Sequence, residues 1–284
     1  MKQKYKWFIG AMIAGVLGIG ATSCVDEIKF GNSFLEKAPG GSATQDTIFN
    51  SVTYTRQFLN TCYSRQYYGL PYVNSSVDDF PDSSNPYTGK FDALTDCWQL
   101  HYSGTTIYNS YYSGTHTANY GVRGDIFGYT REGVWQTVRW CWLLLENVDR
   151  VPGMGEDEKV QMKAEAKCLI AARYFDMFRH YGGLPLIYSS FTGTETNYQL
   201  PRATVEETVN YMDKMLEEAI GSGGLKWSYE GADFNSDGGH WTLAGAMALR
   251  CKLWQFAASP LFNDTQGYAG GRSEAEQQHL VWYG

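Results

Sequence analysis

Five stretches of this chain repeat apolar residues at the three- and four-residue steps of an α-helix, and that periodicity constrains the fold more than any other feature. The longest covers residues 157–181, where Val160, Ala164, Cys168, Ala171, Phe175 and Phe178 align before Gly182-Gly183 stops the run. Residues 131–150 place Val134, Val138, Cys141, Leu145 and Val148 on one face and end at Pro152-Gly153. Earlier, residues 42–66 carry Ile48, Val52, Leu59 and Cys62 after the break Pro39-Gly40-Gly41, with Ser42 or Thr44 as N-cap. A fourth helix starts after Pro201, where Thr204 and Glu207 have capping-box spacing, and its stripe is Val205, Val209, Met212, Leu216 and Ala219. The fifth, 242–258, reads through Leu243, Met247, Cys251, Trp254 and Ala258 and is closed by Pro260. The expected fold is all-α, with helices two and three as one antiparallel pair and four and five as another.

Between the first helix and the second lies a segment of different composition. Residues 67–130 hold ten of the 21 tyrosines with many Gly, Ser, Asn and Thr, and their only candidate cations are Lys90, His101, His116 and Arg123. A loop of that length inside a compact domain is uncommon and usually functional. Tyrosine among Gly, Ser and Asn suits recognition, because rigid amphipathic rings give contact area at low entropic cost. Sugar rings present apolar C–H faces that stack on aromatics, and hydroxyls that pair with Asp, Asn and Arg. Trp98, Tyr102 and Tyr108 are candidates for the faces, and Asp78, Asp79 and Arg123 for the hydrogen bonds. The alternative for any one of these rings is to pack a loop onto the helices with its hydroxyl outward.

The N-terminus reads as a targeting segment. Lys2, Lys4 and Lys6 precede an uncharged apolar run from Trp7 to Gly20, too short to span a bilayer comfortably. Ala21-Thr22-Ser23-Cys24 follows, small residues and then a cysteine, which resembles the lipobox of bacterial lipoproteins with Cys24 as the lipidated residue. The alternatives are a cleaved soluble protein and an uncleaved anchor. Several acyl chains on one cysteine give stable anchoring. Val25-Asp26-Glu27 is either a solvated acidic tether or a surface-export signal of the kind found in Bacteroidota lipoproteins. The expected organisation is a signal peptide at 1–23, a lipidated N-terminus and tether at 24–41, and a helical domain at 42–284.

Several chemistries are excluded or weakly supported. A net charge of −7 argues against nucleic acid as a partner, since phosphate binding needs a basic face. No Gly-rich phosphate loop, GxSxG, HExxH or Cys–His ligand spacing occurs. A hydrolase needs two carboxylates at a defined separation, and the adjacent Asp78-Asp79 does not establish one. Setting Cys24 aside leaves Cys62, Cys97, Cys141, Cys168 and Cys251, an odd number with no CxxC, so buried free thiols are expected. Asp233-Phe234-Asn235-Ser236-Asp237-Gly238 opens like a calcium loop, with Asp233, Asn235 and Asp237 as alternate oxygen ligands. Ala244, however, stands where the bidentate Glu belongs, which favours a turn with Asx hydrogen bonds over a structural calcium site. No other cofactor is expected.

Four segments in order resemble the SusD/RagB family of nutrient-uptake outer-membrane lipoproteins. They are FLEKAPGGSATQDTIFNS (34–51), EAKCLIAARYFDMFRHYGGLPLI (165–187), LPRATVEETVNYM (200–212) and ALRCKLWQFAASPLFND (248–264), of which the second is the strongest. With the lipobox, the resemblance covers nearly the whole chain. It implies a TPR-like helical-pair scaffold carrying a loop-rich binding region, although no clean repeat of about 34 residues is visible. It also implies a non-enzymatic protein that binds glycan or another nutrient and delivers it to a SusC-type TonB-dependent transporter. Family chains usually continue well past the Ala-Ser-Pro-Leu-Phe-Asn segment, so the chain is expected to correspond to the family's N-terminal portion. The competing readings are a TPR-like protein-interaction module with no glycan of its own and a lipid-anchored glycosidase.

Overall fold

The computed structural model describes residues 44–64, 96, 132–191, 195, 198–265, 267, 270 and 272–283. The helices follow the order α1 Gln45–Phe49, α2 Val52–Tyr63, α3 Glu132–Asn147, α4 Glu156–Tyr181, α5 Val205–Gly221, α6 Ala232–Asp237, α7 Leu243–Ala257, α8 Pro260–Asn263 and α9 Glu274–Gln277. A 3₁₀ turn, Val148–Arg150, extends α3. No strand occurs among the described residues.

Helix α4 is the hub. It packs against α2, α3, α5 and α7, while α5 packs in turn on α7 and α2 on α3. The α3–α4 and α5–α7 pairs are the two expected from the sequence. Glu156, Asp157 and Glu158 in the first turn of α4, with Arg179 and His180 in its last, oppose the helix dipole favourably. Being wrapped by neighbours, α4 buries far more than one stripe. Ala164, Cys168, Ala171, Phe175 and Phe178 are buried as expected, but so are Leu169, Ile170, Tyr174 and Met177, and even Glu165 and Arg173. Each large apolar side chain taken fully out of water stabilises the fold by about 1.5–3 kcal/mol.

Helix α5 follows the sequence closely. Val205, Val209, Met212, Leu216 and Ala219 are all buried. Thr204 Oγ1 accepts from Glu207 N–H at 3.1 Å while Glu207 Oε2 accepts from Thr204 N–H at 2.8 Å, completing the capping box.

Three expectations are corrected. The first predicted helix is two, because Ser51 takes an extended conformation and caps α2 by accepting from Tyr54 N–H. Leu144 rather than Leu145 is fully buried on α3. On α7 the predicted face points the wrong way: Ala246, Leu253 and Ala257 are buried, whereas Met247, Cys251, Trp254 and Ala258 are exposed. Apolar residues surround this helix on most sides, so periodicity alone could not choose the face that meets α5. Cys62, Cys141 and Cys168 are buried free thiols as expected, and Cys251 is a free thiol at the surface.

Candidate functional site

The turn after α4 sets the position of a surface aromatic cluster. Gly182 has φ of +73°, and a Cβ on Gly183 would stand 1.9 Å from the Ala203 carbonyl oxygen. With no side chains in the way, Gly183 N–H donates to Leu280 O at 2.6 Å and Ala203 N–H to Leu184 O at 3.0 Å. Arg202 donates to the carbonyls of Gly183 and Tyr181, and Leu184 N–H to Thr208 Oγ1 at 3.1 Å. The Gly-Gly pair therefore does more than stop a helix: it lets three chain segments approach at backbone distance.

Two buried phenols then pin the extended stretch that follows. Tyr174 donates to Pro185 O at 2.9 Å and accepts from Ile187 N–H at 3.0 Å. Tyr211 donates to Ile187 O at 2.5 Å. Burial pushes both phenols above the ordinary tyrosine value, so they stay protonated and keep donating.

This anchoring carries Tyr188 to the surface, 64% exposed, with its ring edge-on to Tyr211. The rings continue inward from Tyr211 to Tyr174 at 4.8 Å and from Tyr174 to Trp135 of α3 at 6.1 Å. Beyond Tyr188, Glu146 accepts from both the amide and the hydroxyl of Ser190. Arg139 donates through Nε and Nη2 to Phe191 O, each at 3.2 Å. Phe191 packs against Tyr198 with centroids 5.6 Å apart, and Tyr198, 52% exposed, donates its hydroxyl to Glu195 at 2.9 Å. The hydrogen bond to Glu195 is the main cause of a raised Tyr198 pKa. The surface thus offers exposed aromatic rings flanked by Arg139, Glu146 and Glu195, a set able to stack on an apolar ring face and exchange hydrogen bonds with hydroxyls.

No family model and no curated protein matches the sequence. Among solved structures, a SusD-like protein from Bacteroides fragilis matches with a TM-score of 0.52 at 21% identity, over 73% of this chain and 35% of that one. A SusD-like carbohydrate binding protein from the same organism gives 0.53 at 18%, over 74% of this chain and 38% of the other. The fold is SusD-like. The chain spans little more than a third of the length of these two SusD-like proteins.

The ligand candidates drawn from the composition of residues 67–130, Asp78, Asp79, Trp98, Tyr102, Tyr108 and Arg123, lie outside the described residues, as does Cys24. Asp233, Asn235 and Asp237 sit on the single-turn helix α6. Helical spacing puts Asn235 on the side opposite the two aspartates, and Asp233 is paired with Lys226 at 2.6 Å. Among the described residues no three His, Cys, Asp or Glu side chains gather as a metal site. Sequence reasoning passed over Tyr188 and Tyr198. Their signal was the short stretch 189–197 that they flank, rich in Ser and Thr like 67–130.

Proposed function

We propose that this chain is a member of the SusD/RagB family that works as a non-enzymatic, lipid-anchored protein of the outer-membrane surface. It binds oligosaccharide or polysaccharide and delivers it to a SusC-type TonB-dependent transporter, with Cys24 as the lipid attachment point. The observation that carries the reading is the SusD-like fold combined with exposed tyrosines, of which Tyr188 follows a backbone stretch pinned by Tyr174 and Tyr211. One protein with this fold is itself described as carbohydrate binding. The ordered match of the Tyr-Gly-Gly-Leu-Pro segment adds weight, because its glycines and the phenols around it build that surface.

The test is calorimetric titration of the protein from Val25 onward, after a cooperative thermal melt has been recorded, against a panel of polysaccharides. Saturable binding without new reducing ends is expected, weakened about tenfold by Tyr188→Ala or Trp98→Ala. A folded protein that binds no member of the panel overturns the glycan reading, and release of reducing ends overturns the non-enzymatic one.

A second reading, a TPR-like module that docks another protein, is favoured by the outward face of α7. Met247 and Trp254 are each 44% exposed there. Binding of a transporter without any glycan affinity would select it.

A further inference from the structure

Glu165 of α4 lies completely out of contact with solvent. Three groups from different parts of the chain converge on its carboxylate: Tyr63 Oη of α2 at 2.8 Å, Gln161 Nε2 of α4 at 2.8 Å, and His240 Nδ1 at 3.0 Å. His240 belongs to the stretch 222–242 that links α5 to α7. Its imidazole stacks on the Tyr63 ring with centroids 4.4 Å apart, and Tyr63 Oη accepts from the next amide, Trp241 N–H, at 2.7 Å. Tyr229 reinforces the join by accepting from Gln161 at 3.4 Å and donating to Trp241 O at 3.3 Å.

The middle of this stretch is held only lightly. From residue 230 to residue 239 no side chain is buried, and α6 contributes none to the core. The stretch also exposes Trp227 at 64% and Phe234 at 61%. Its attachment therefore rests on Leu225, Tyr229, the close approach of Gly224 to the α4 backbone, the half-buried Trp241, the Leu243 N–H to Lys226 O bond and the polar cluster at Glu165.

A buried carboxylate is costly unless a positive charge and hydrogen bonds compensate it. The groups acting on the imidazole are Tyr63 from α2, Glu165 from α4 and Asp237 from α6, with Tyr229 and Cys168 acting on Glu165. All are acids. Burial first pushes the Tyr63 and Cys168 values upward, so those two stay neutral. Only His240 can supply the compensating proton within this set.

We propose that Glu165 and His240 form a proton-dependent latch that fastens the stretch 222–242, with Trp227 and Phe234 on it, to helices α2 and α4. The latch is closed while the imidazole is protonated and loosens when it is neutral, because the buried carboxylate then keeps only neutral hydrogen-bond donors and loses its positive partner. The hydrogen bond to Glu165 is the leading cause of a His240 pKa above the ordinary histidine value, outweighing burial. For a value raised by folding, the stabilisation is full below the unfolded value and is lost as pH rises through the folded one. The device works independently of what the aromatic surface binds.

The test follows the His240 ring by NMR across pH in the full chain, assigned by its loss in His240→Gln. Amide exchange of 222–242, corrected for intrinsic rates, is measured in parallel at pH 6 and pH 9. The expected result is a titration midpoint above the ordinary histidine value and about tenfold less protection of 222–242 at pH 9. Both the raised midpoint and the pH-dependent protection should vanish in Glu165→Gln. Should that variant unfold, Tyr63→Phe, which keeps the ring stack and the carboxylate, is expected to retain the raised midpoint while loosening Trp241. A midpoint at the ordinary value, or equal protection at the two pH values, overturns the proposal.

Discussion

The ring of Tyr188 stands edge-on to that of Tyr211, with centroids 5.2 Å apart and planes at 87°. The same Tyr211 holds the carbonyl of the residue before Tyr188 through its hydroxyl at 2.5 Å. One buried side chain thus fixes both the backbone and the ring of its exposed neighbour. The two residues should separate cleanly by mutation. Tyr188→Ala, at an exposed site, is expected to change stability by less than about 0.5 kcal/mol and, if the proposed function holds, to lower glycan affinity. Tyr211→Phe leaves Ile187 O without its donor, so unfolding free energy should fall by about 1–2 kcal/mol in urea titration. A Tyr188→Ala loss of stability equal to that of Tyr211→Phe would show that Tyr188 is a packing residue.

The two glycines after α4 should tolerate side chains far less well than a glycine with open surroundings. Gly183→Ala drives a methyl into the Ala203 carbonyl oxygen, and a destabilisation of about 3 kcal/mol or more is expected. Gly153 has φ of +75°, but no atom lies within 4 Å of where its Cβ would stand. Changing it to Ala should cost only about 1 kcal/mol, from backbone strain alone. Equal costs in chemical denaturation would show that close approach is not what Gly183 provides.

Arg250 of α7 grips Asp213 of α5 through two bonds, 2.7 and 3.0 Å, and Trp254 Nε1 adds a third at 2.7 Å. Burial alone would raise the Asp213 pKa, but the bonds from Arg250 and Trp254 outweigh it and hold the carboxyl below its ordinary value. A depressed carboxyl stabilises above its unfolded value, and the effect is lost as pH falls through the folded one. Asp213→Asn should therefore melt earlier than the parent at pH 7, by about 1–2 kcal/mol, with the gap closing in acid as the pH falls through the lowered folded value. A gap independent of pH would assign the loss to packing instead.

The capping box on α5 gives a smaller effect of known sign. Thr204→Ala removes the acceptor for Glu207 N–H and is expected to cost about 1 kcal/mol. Thr204→Ser, which keeps the oxygen, should restore most of it. A Thr204→Ala protein as stable as the parent would mean water satisfies that amide equally well.

Helix positions were legible in the sequence because they depend on local signals. Thr204 and Glu207 mark the start of α5, and Gly182-Gly183 the end of α4, through bonds made within a few residues of chain. The site was less legible. Tyr188 is held at the surface because Tyr174 and Tyr211, remote in sequence from one another, close on the segment beneath it. The candidates from Asp78 to Arg123 fall outside the described residues. Glu165 was hidden on a helix read as having one apolar stripe, since nothing local reveals that Tyr63 and His240 will meet it.

An all-helical chain with breaks at particular glycines and prolines follows from the order of residues alone, because turn geometry and helix capping are properties of neighbours. Which faces are buried follows only from how the helices pack. Met247 and Trp254 lie outside although their spacing fits a core stripe, and Glu165 lies inside although it is charged. An apolar side chain gains from burial only where another helix covers it, and a carboxylate is tolerated inside only where partners converge. Both conditions are set by where distant parts of the chain come to rest.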